Sequence, residues 1–474
     1  MTSSSHVNRR ALLKRSAAAG VLAVPAMGAL SACASGGSDG DGGGAAEVEA
    51  TDDNPLGVDA EARLEVVIFD GGFGDQYALD AGEIYMADYG EIDHSKTQEI
   101  RSRLQPRMVS GDPPDLINNS GAEQMDMPAL ISNDQVADLT PLLDAPSLDD
   151  PDVPVRDTLV PGTVEVGQYG GQEVYQLNYA YTIYGTWYSR TALERLGVEY
   201  PRTWDEMLSV CEKAKKEDIA GWTYAGQHPY YFTFTLLPFI AKIGGADVLK
   251  AIDNLEPNAW RHDAVKAAFE AYYELQAKGY ILRGTPGLDH IESQTEWTKG
   301  RALFLPNGSW VENEAAETTP DDFEMAVAPP TSLDAGDAMP FETVYAAAGE
   351  PFIVPADAGN RAGGMEFLRI MLGRESARNF TQLVSSLSCV QGAAEGLDLP
   401  PGLSTASQVL EAAGENVVNP RFREWYPELF RERVGGEIAA MMSGDIDPDR
   451  AIANIQRHAD DTAADDSIQK FQHP

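Results

Sequence analysis

The sequence is short of cysteine, histidine and positive charge, and each shortage closes off a class of function. Only Cys33, Cys211, Cys389 and seven histidines stand among 474 residues. No CxxC pair and no Cys/His run at metal-ligand spacing occurs, so no metal site and no cofactor are expected. Lysine and arginine number 35 against 74 aspartates and glutamates, a net charge of −39. A nucleic-acid surface needs a basic stripe, so nucleic acid is not an expected partner. Adhesion to an anionic membrane through charge alone is excluded on the same ground. Beyond residue 30 no apolar run is long enough to cross a bilayer. Asp70-Gly-Gly-Phe-Gly-Asp75 is rich in glycine but lacks both the full GxGxxG spacing and a following Lys-Ser/Thr. It therefore reads as a strand-to-helix turn rather than a phosphate cradle. With so many carboxylates, two acids close in sequence carry no information about acid–base catalysis, because most lie on the solvated surface.

The chain begins with an address. Arg9 and Arg10 precede Leu12, Leu13 and Lys14, and an apolar stretch follows from about Ala17 to Leu30. This is the form of a secretory signal, and the paired arginines resemble a twin-arginine export signal, with Leu12 where an aromatic is usual. The stretch closes on Leu30-Ser31-Ala32-Cys33. That tetrapeptide resembles a bacterial lipobox, in which the Cys33 thiol is acylated and becomes the new N-terminus. Residues 1–32 are then the signal peptide. Residues 33–62, dominated at first by Gly, Ser and acids, form a flexible tether. The expected location is the outer face of the cytoplasmic membrane, held there through lipid on Cys33.

The remainder alternates strand and helix patterns, which indicates α/β architecture. Arg63–Asp70 reads as a buried strand. Gln98–Ser110 reads as a helix, with Pro106 expected to kink or break it and Gly111 to stop it. Val153–Ser189 reads as three β-rich pieces separated by glycine turns. Helices are expected over Thr203–Glu217, Asp263–Lys278 and Gly364–Leu372. Thr203 and Glu206 have the spacing of a capping box, which makes Trp204 a packing residue. Cys211 shares a helical face with Met207, Val210 and Ala214 and reads as core; a Cys211–Cys389 disulfide stays open.

Four segments in order resemble the extracellular solute-binding proteins of carbohydrate ABC importers, the maltose-binding-like family. They are Met108–Ile117 (MVSGDPPDLI), Val136–Asp144 (VADLTPLLD), Thr186–Leu208 (TWYSRTALERLGVEYPRTWDEML) and Trp297–Val311 (WTKGRALFLPNGSWV). The signal and the DGGFGDQY segment further resemble the actinobacterial N-acetylglucosamine- and chitobiose-binding lipoproteins of that family. The resemblance implies a two-lobed fold of the type II periplasmic-binding-protein class, with a multi-strand hinge and a ligand cleft that closes by hinge motion. It implies lobe 1 over 63–182 and 326–383, lobe 2 over 183–325 and 384–474, and crossings near Tyr181, Ala326 and Leu383. It also implies a non-enzymatic monomer that hands a small sugar to ABC permease subunits in the membrane.

A sugar site needs flat apolar faces for stacking and polar groups for hydroxyls. The resemblance places a stacking tryptophan at Trp310, in Asn307-Gly308-Ser309-Trp310, and a stacking tyrosine at Tyr230. Packing of Trp310 at a helix start is the competing reading. Around Tyr230, the candidates are Trp222, Gln227 and His228; the family often carries a carboxylate where His228 stands. Phe73, Asn119, Ser120 and Glu123 follow strand ends, where open α/β sheets take ligands, and Asn119 and Ser120 read equally well as turn residues. Tyr181, Glu342 and Tyr345 lie near the crossings, and Trp425 in Phe422-Arg-Glu-Trp-Tyr-Pro stands as a late aromatic that closes the cleft. Trp297 is assigned to the core. The alternatives are a maltose- or xylobiose-type binder, or a secreted glycoside hydrolase. No nucleophile signature or assignable acid pair supports the hydrolase.

Overall fold

A computed structural model describes residues 48–473; the signal peptide, Cys33 and the first part of the tether lie outside the described residues. Ten strands make one mixed sheet: β1 (Leu64–Phe69), β2 (Ile92–Thr97), β3 (Leu116–Asn118), β4 (Leu177–Ser189), β5 (Ala220–Trp222), β6 (Ala302–Gly308), β7 (Met325–Ala328), β8 (Val344–Ile353), β9 (Leu387–Ser388) and β10 (Val417–Val418). Their order is β2-β1-β3-β8-β4-β6-β5, with β7 and β9 also on β4 and β10 on β8. Two lobes follow from this order. β1 pairs in parallel with β2 and β3, while β5 and β6 form a parallel pair at the far end. Between them run the antiparallel strands β4 and β8, whose registers carry the chain from one lobe into the other.

β4 is thirteen residues long and buried at every position but Tyr188. A strand covered on both faces reads as an unbroken apolar run. The three β-rich pieces expected over Val153–Ser189 are thereby corrected. Val155–Thr158 is a 3-10 turn, Thr163–Val166 a helical turn, and only Leu177–Ser189 is strand. Gly185 does not break β4. A Cβ there would lie 2.7 Å from the Ala328 carbonyl oxygen, so glycine is what lets β7 approach.

Helices cover both lobes. On the first, Gln76–Asp88, Arg361–Met371 and Arg374–Val384 contribute Tyr85, Phe367 and Phe380 to a core shared with Leu64, Val66 and Ile68 of β1. On the second, Trp204–Lys216, Thr233–Gly244, Asp263–Ala277 and Pro448–Ala464 enclose Trp222, Phe239 and Tyr272. The capping box forms as the spacing predicts: Thr203 Oγ1 accepts from the Glu206 amide, and the Glu206 carboxylate accepts from the Thr203 amide. Trp204 packs on Phe239 and Tyr272. Helix Ile100–Ser110 runs through Pro106 instead of breaking, and Gly111 ends it at φ 74°.

Cys211 and Cys389 are free and buried in separate hydrophobic clusters, so no disulfide joins them. Burial pushes both thiols up to about 12, which leaves them unreactive core residues. Among the described residues no helix is long and apolar enough to cross a membrane.

Candidate functional site

The site is built where β6 ends and where the segment after β5 crosses above it. β6 delivers Asn307 and Gly308, and Trp310 begins the short helix Val311–Glu314. A Cβ on Gly308 would lie 2.2 Å from the Trp310 ring, so glycine is what allows the indole to fold back over the strand end. Pro229–Phe232 is a 3-10 turn that leads directly into helix Thr233–Gly244. This brings Tyr230, Tyr231 and Phe234 together. Tyr231 and Phe234 meet Trp310 edge to face at 6.1 and 5.9 Å between ring centres. Tyr184 of β4 meets it at 5.6 Å and stacks on Tyr345 of β8 at 4.3 Å. Such edge-to-face and stacked pairs hold the rings in fixed orientations. Trp310, Tyr230 and Tyr231 are half-buried, while Tyr184 and Tyr345 form the buried floor.

Two arginines frame this cluster. Arg423 donates to the Tyr184 hydroxyl at 2.5 Å and lies over the Tyr184 and Phe234 rings. Arg431, on the π-helical stretch Leu429–Val434, lies over the Tyr230 ring. It also donates to the carbonyls of Gly121 and Ala122, which follow β3 on the other lobe. A π-helical turn shifts the side-chain register and is common at functional sites. Here it aims Arg431 across the cleft. His228 and His290 complete the rim, their rings 5.5 Å apart. Burial lowers both imidazoles, and for His290 the neighbouring His228 lowers it further, which keeps both neutral at physiological pH.

The lobes meet at a second line of contact. Asn313 donates to the Gly72 carbonyl, and a Cβ on Gly72 would lie 2.6 Å from Glu314 Cγ. Glu314 accepts from Gln294 at 2.7 Å; Glu350 of β8 accepts from Ser120 at 3.0 Å. Glu350 sits at φ +57°, a left-handed conformation uncommon for a side chain of this size. Burial raises both carboxyls to about 7; Glu350 pushes Glu314 further, while Gln294 pulls Glu314 down and Ser120 and Asn118 pull Glu350 down. The ionisable groups facing them are the hydroxyls of Tyr231, toward Glu314, and Tyr77, toward Glu350, with Asp75 behind Tyr77. Arg423 and Arg431 are engaged elsewhere, as described.

A pH dependence follows. A carboxyl whose folded value is raised holds a proton that the unfolded chain, at about 4.5, has already released. Its stabilisation is complete below about 4.5 and is lost as pH rises toward about 7. The ligand-free protein should therefore lose stability between these values, on the order of 1 kcal/mol per pH unit from the pair. Thermal unfolding across that range checks it. The Glu314→Gln/Glu350→Gln protein should show a visibly flatter profile, and an unchanged slope would rule the pair out as its cause.

The structure brings together only some of the residues chosen from sequence. Trp310, Tyr230, His228 and Tyr345 join the aromatic cluster, and Ser120 holds Glu350. Phe73 is half-buried beside Gly72, edge-on to Phe380 at 5.3 Å. Gln227 is exposed and donates to the Gly287 carbonyl. The rest stand elsewhere for physical reasons. Trp222 is 1% exposed within the second-lobe core, packed on Phe232, Tyr272 and Phe304. Asn119 is fully buried and staples its own loop by exchanging hydrogen bonds with the Met125 backbone, so the turn reading holds for it. Asn307 is buried and accepts from the amide of Gly308. Tyr181 lies in the packing between the central strands. Glu123 is exposed and accepts from Ser102, and Glu342 pairs with Arg202. Trp425 is buried against Phe471 and His473 of the C-terminal tail and borders a groove of about 570 Å³ with Asp126, Arg433 and Arg457. Trp297 is in the core, its indole donating to the Leu303 carbonyl.

Sequence reading overlooked Tyr231, Phe234, Tyr184, Glu314, Glu350, Arg423 and Arg431. A signal existed for some: Tyr231 and Phe234 continue the aromatic run from Tyr230, and Glu314 lies four residues after Trp310, on the same helical side. For Glu350 and Arg431 there was none, because their place depends on how the lobes meet.

Known proteins resemble this chain in family and fold. A family model described as bacterial extracellular solute-binding protein matches residues 91–378. A diacetylchitobiose-binding protein of Streptomyces coelicolor is 33% identical over 473 residues, covering 98% of each chain. Among solved structures, a chitin oligosaccharide binding protein superposes with TM-score 0.67 at 19% identity, over 83% of this chain and 98% of that one. A raffinose complex of the binding protein RafE gives 0.65 at 16% identity, over 84% and 99%. At such identities the structures speak for the two-lobed fold.

Proposed function

This chain belongs to the bacterial extracellular solute-binding proteins, and we propose that it captures N-acetylglucosamine or, preferentially, its β-linked dimer chitobiose between its lobes. The observation that carries the reading is the half-buried cluster of Trp310, Tyr230 and Tyr231 on the second lobe, beside which Arg431 reaches the loop of the first lobe where Ser120 holds Glu350. A pyranose has an apolar CH face and a ring of hydroxyls, and needs both kinds of partner at once. The Streptomyces relative that matches this chain from end to end, a diacetylchitobiose-binding protein, supports the choice of sugar. Trp310, Tyr230, Tyr231 and His228 supply stacking and the rim; Ser120, Glu314 and Glu350 accept from hydroxyls and amides. The first lobe carries β1 to β3 and the second β5 to β7, with β4 and β8 as the hinge. Arg431 and Asn313 hold the closed form.

The protein is exported through its twin-arginine signal, anchored by lipid on Cys33, and acts as a monomer without catalysis, passing the sugar to ABC permease subunits. Its acidic surface keeps it soluble outside the cell.

The test is a thermal-shift and calorimetric screen with chitobiose, N-acetylglucosamine, maltose, xylobiose and raffinose. Ligand at a hundredfold excess over Kd should stabilise the protein by about 2.7 kcal/mol. Chitobiose should give the largest shift, with one molecule bound and none hydrolysed. A shift with maltose or xylobiose alone would overturn the choice of sugar, and turnover of chitobiose would overturn the transport role.

A further inference from the structure

The cleft holds an electrostatic feature that stacking on a neutral sugar does not use. Glu314 stands on the second lobe and Glu350 on the connecting strand β8; both are half-buried, and among the described residues their hydrogen-bond partners are neutral, Gln294 for Glu314 and Ser120 and Asn118 for Glu350. Among the described residues, no cation pairs with either one. Two other buried carboxylates do have a cationic or imidazole partner: Glu366 has Arg369, and Asp253 has His473 with two backbone amides. Glu350 is moreover held in a left-handed backbone conformation within β8, directly before Pro351. Such strain persists only where the surroundings impose it, and it gathers at ligand clamps. Gln294 adds a second unused group: its Oε1 is buried without a partner while its Nε2 holds Glu314. The pair thus presents acceptors, and a further acceptor beside them, to whatever fills the cleft.

We propose that Glu314 and Glu350 select ligands by charge, so that the cleft takes cationic amino sugars, glucosamine oligosaccharides with free ammonium groups, as well as their neutral acetylated forms, and rejects anionic sugars. This rests on the reading of the cleft as a sugar site. An ammonium group placed between the carboxylates would donate charge-assisted hydrogen bonds, which are about twice as strong as neutral ones. It would also take the place of the protons that burial otherwise keeps on the two carboxyls up to about 7, holding both ionised. A uronic acid or sugar phosphate would add a third negative charge in the same space. The net charge of −39 works in the same direction at longer range, raising the local concentration of cations and repelling anions.

The test is calorimetry on the full chain at about pH 7.5, above the value of about 7 to which both carboxyls are raised and where amino sugars still carry ammonium groups, with three disaccharides: diacetylchitobiose, the fully deacetylated glucosamine dimer, and a uronic-acid-containing dimer. The glucosamine dimer should bind within about tenfold of diacetylchitobiose or more tightly, and the uronic dimer should not bind. Glu314→Gln/Glu350→Gln should weaken the glucosamine dimer at least about tenfold more than the acetylated one. Glu350→Gly, which relieves the left-handed strain, should likewise cut the cationic preference while raising the melting temperature, so loss of binding there is not loss of fold. Equal weakening of both sugars, or binding of the acetylated dimer alone, overturns the proposal. Binding of the glucosamine dimer without diacetylchitobiose overturns the assignment of chitobiose and leaves charge selection standing. Binding of neither removes both.

Discussion

Replacing Trp310 with alanine should weaken sugar binding roughly thirty- to a thousandfold, the loss of one aromatic anchor worth about 2–4 kcal/mol. The side chain does two things. It is half-buried, which leaves part of the indole accessible to a ligand, and it packs near-perpendicular to Tyr184, Tyr231 and Phe234. Truncation therefore also opens a gap in the wall, and stability should fall by about 1–3 kcal/mol. The two effects separate by comparison with Trp310→Phe, which retains a stacking ring and most of the packing. It should recover most of the stability and a good part of the affinity. Gly308→Ala supplies the orientation control, since its Cβ would press on the Trp310 ring at 2.2 Å. It should lower affinity with the indole still present. Calorimetry with chitobiose, beside circular dichroism for folding, reads all three. Affinity unchanged in Trp310→Ala would take the indole out of the site.

The largest effect on stability lies away from the cleft. In the first lobe, Arg369 and Glu366 are 7% and 2% exposed and joined by two parallel hydrogen bonds of 2.8 Å, while Arg369 also donates to the Pro146 carbonyl. Glu366→Ala should cost about 3–5 kcal/mol, because it strands a buried guanidinium. Removing both charges with Glu366→Leu/Arg369→Leu should cost less than the single change, despite the unpaired Pro146 carbonyl. Denaturant unfolding of the two variants decides it. If the double variant were the less stable, the pair would be a net source of stability and the desolvation argument would fail here. Neither residue borders the cleft, so sugar affinity measured on the folded fraction should stay as it is.

These predictions differ in how far they could be reached from residues alone. Trp310 and Tyr230 were legible because local chemistry marks them: a glycine-flanked aromatic at a strand end and an aromatic run before an apolar helix. The helix starts were legible for the same reason, since the Thr203–Glu206 capping box is fixed by a spacing of three residues. The mixed sheet was legible only in part. Glycine at position 185 looks like a turn in sequence, yet serves the close approach of a strand more than a hundred residues later. Trp222 looks like a ligand platform beside polar residues. Its burial follows from Phe232, Phe304 and Tyr272, which reach it from three separate segments.

By itself the sequence determined the alternation of strand and helix, the caps that start and stop the helices, and the aromatic surface on the second lobe. These depend on neighbours within a turn or two of chain, where spacing and side-chain type suffice. The tertiary structure alone decided which polar groups gather beside that surface. Glu314 and Glu350 are 36 residues apart and ordinary among 74 acids; they become a pair only because the fold brings β8 and the helix after β6 close enough for one carboxyl to act on the other. Burial and the lack of a cation then change their chemistry, and both are properties of the space between lobes rather than of any stretch of chain.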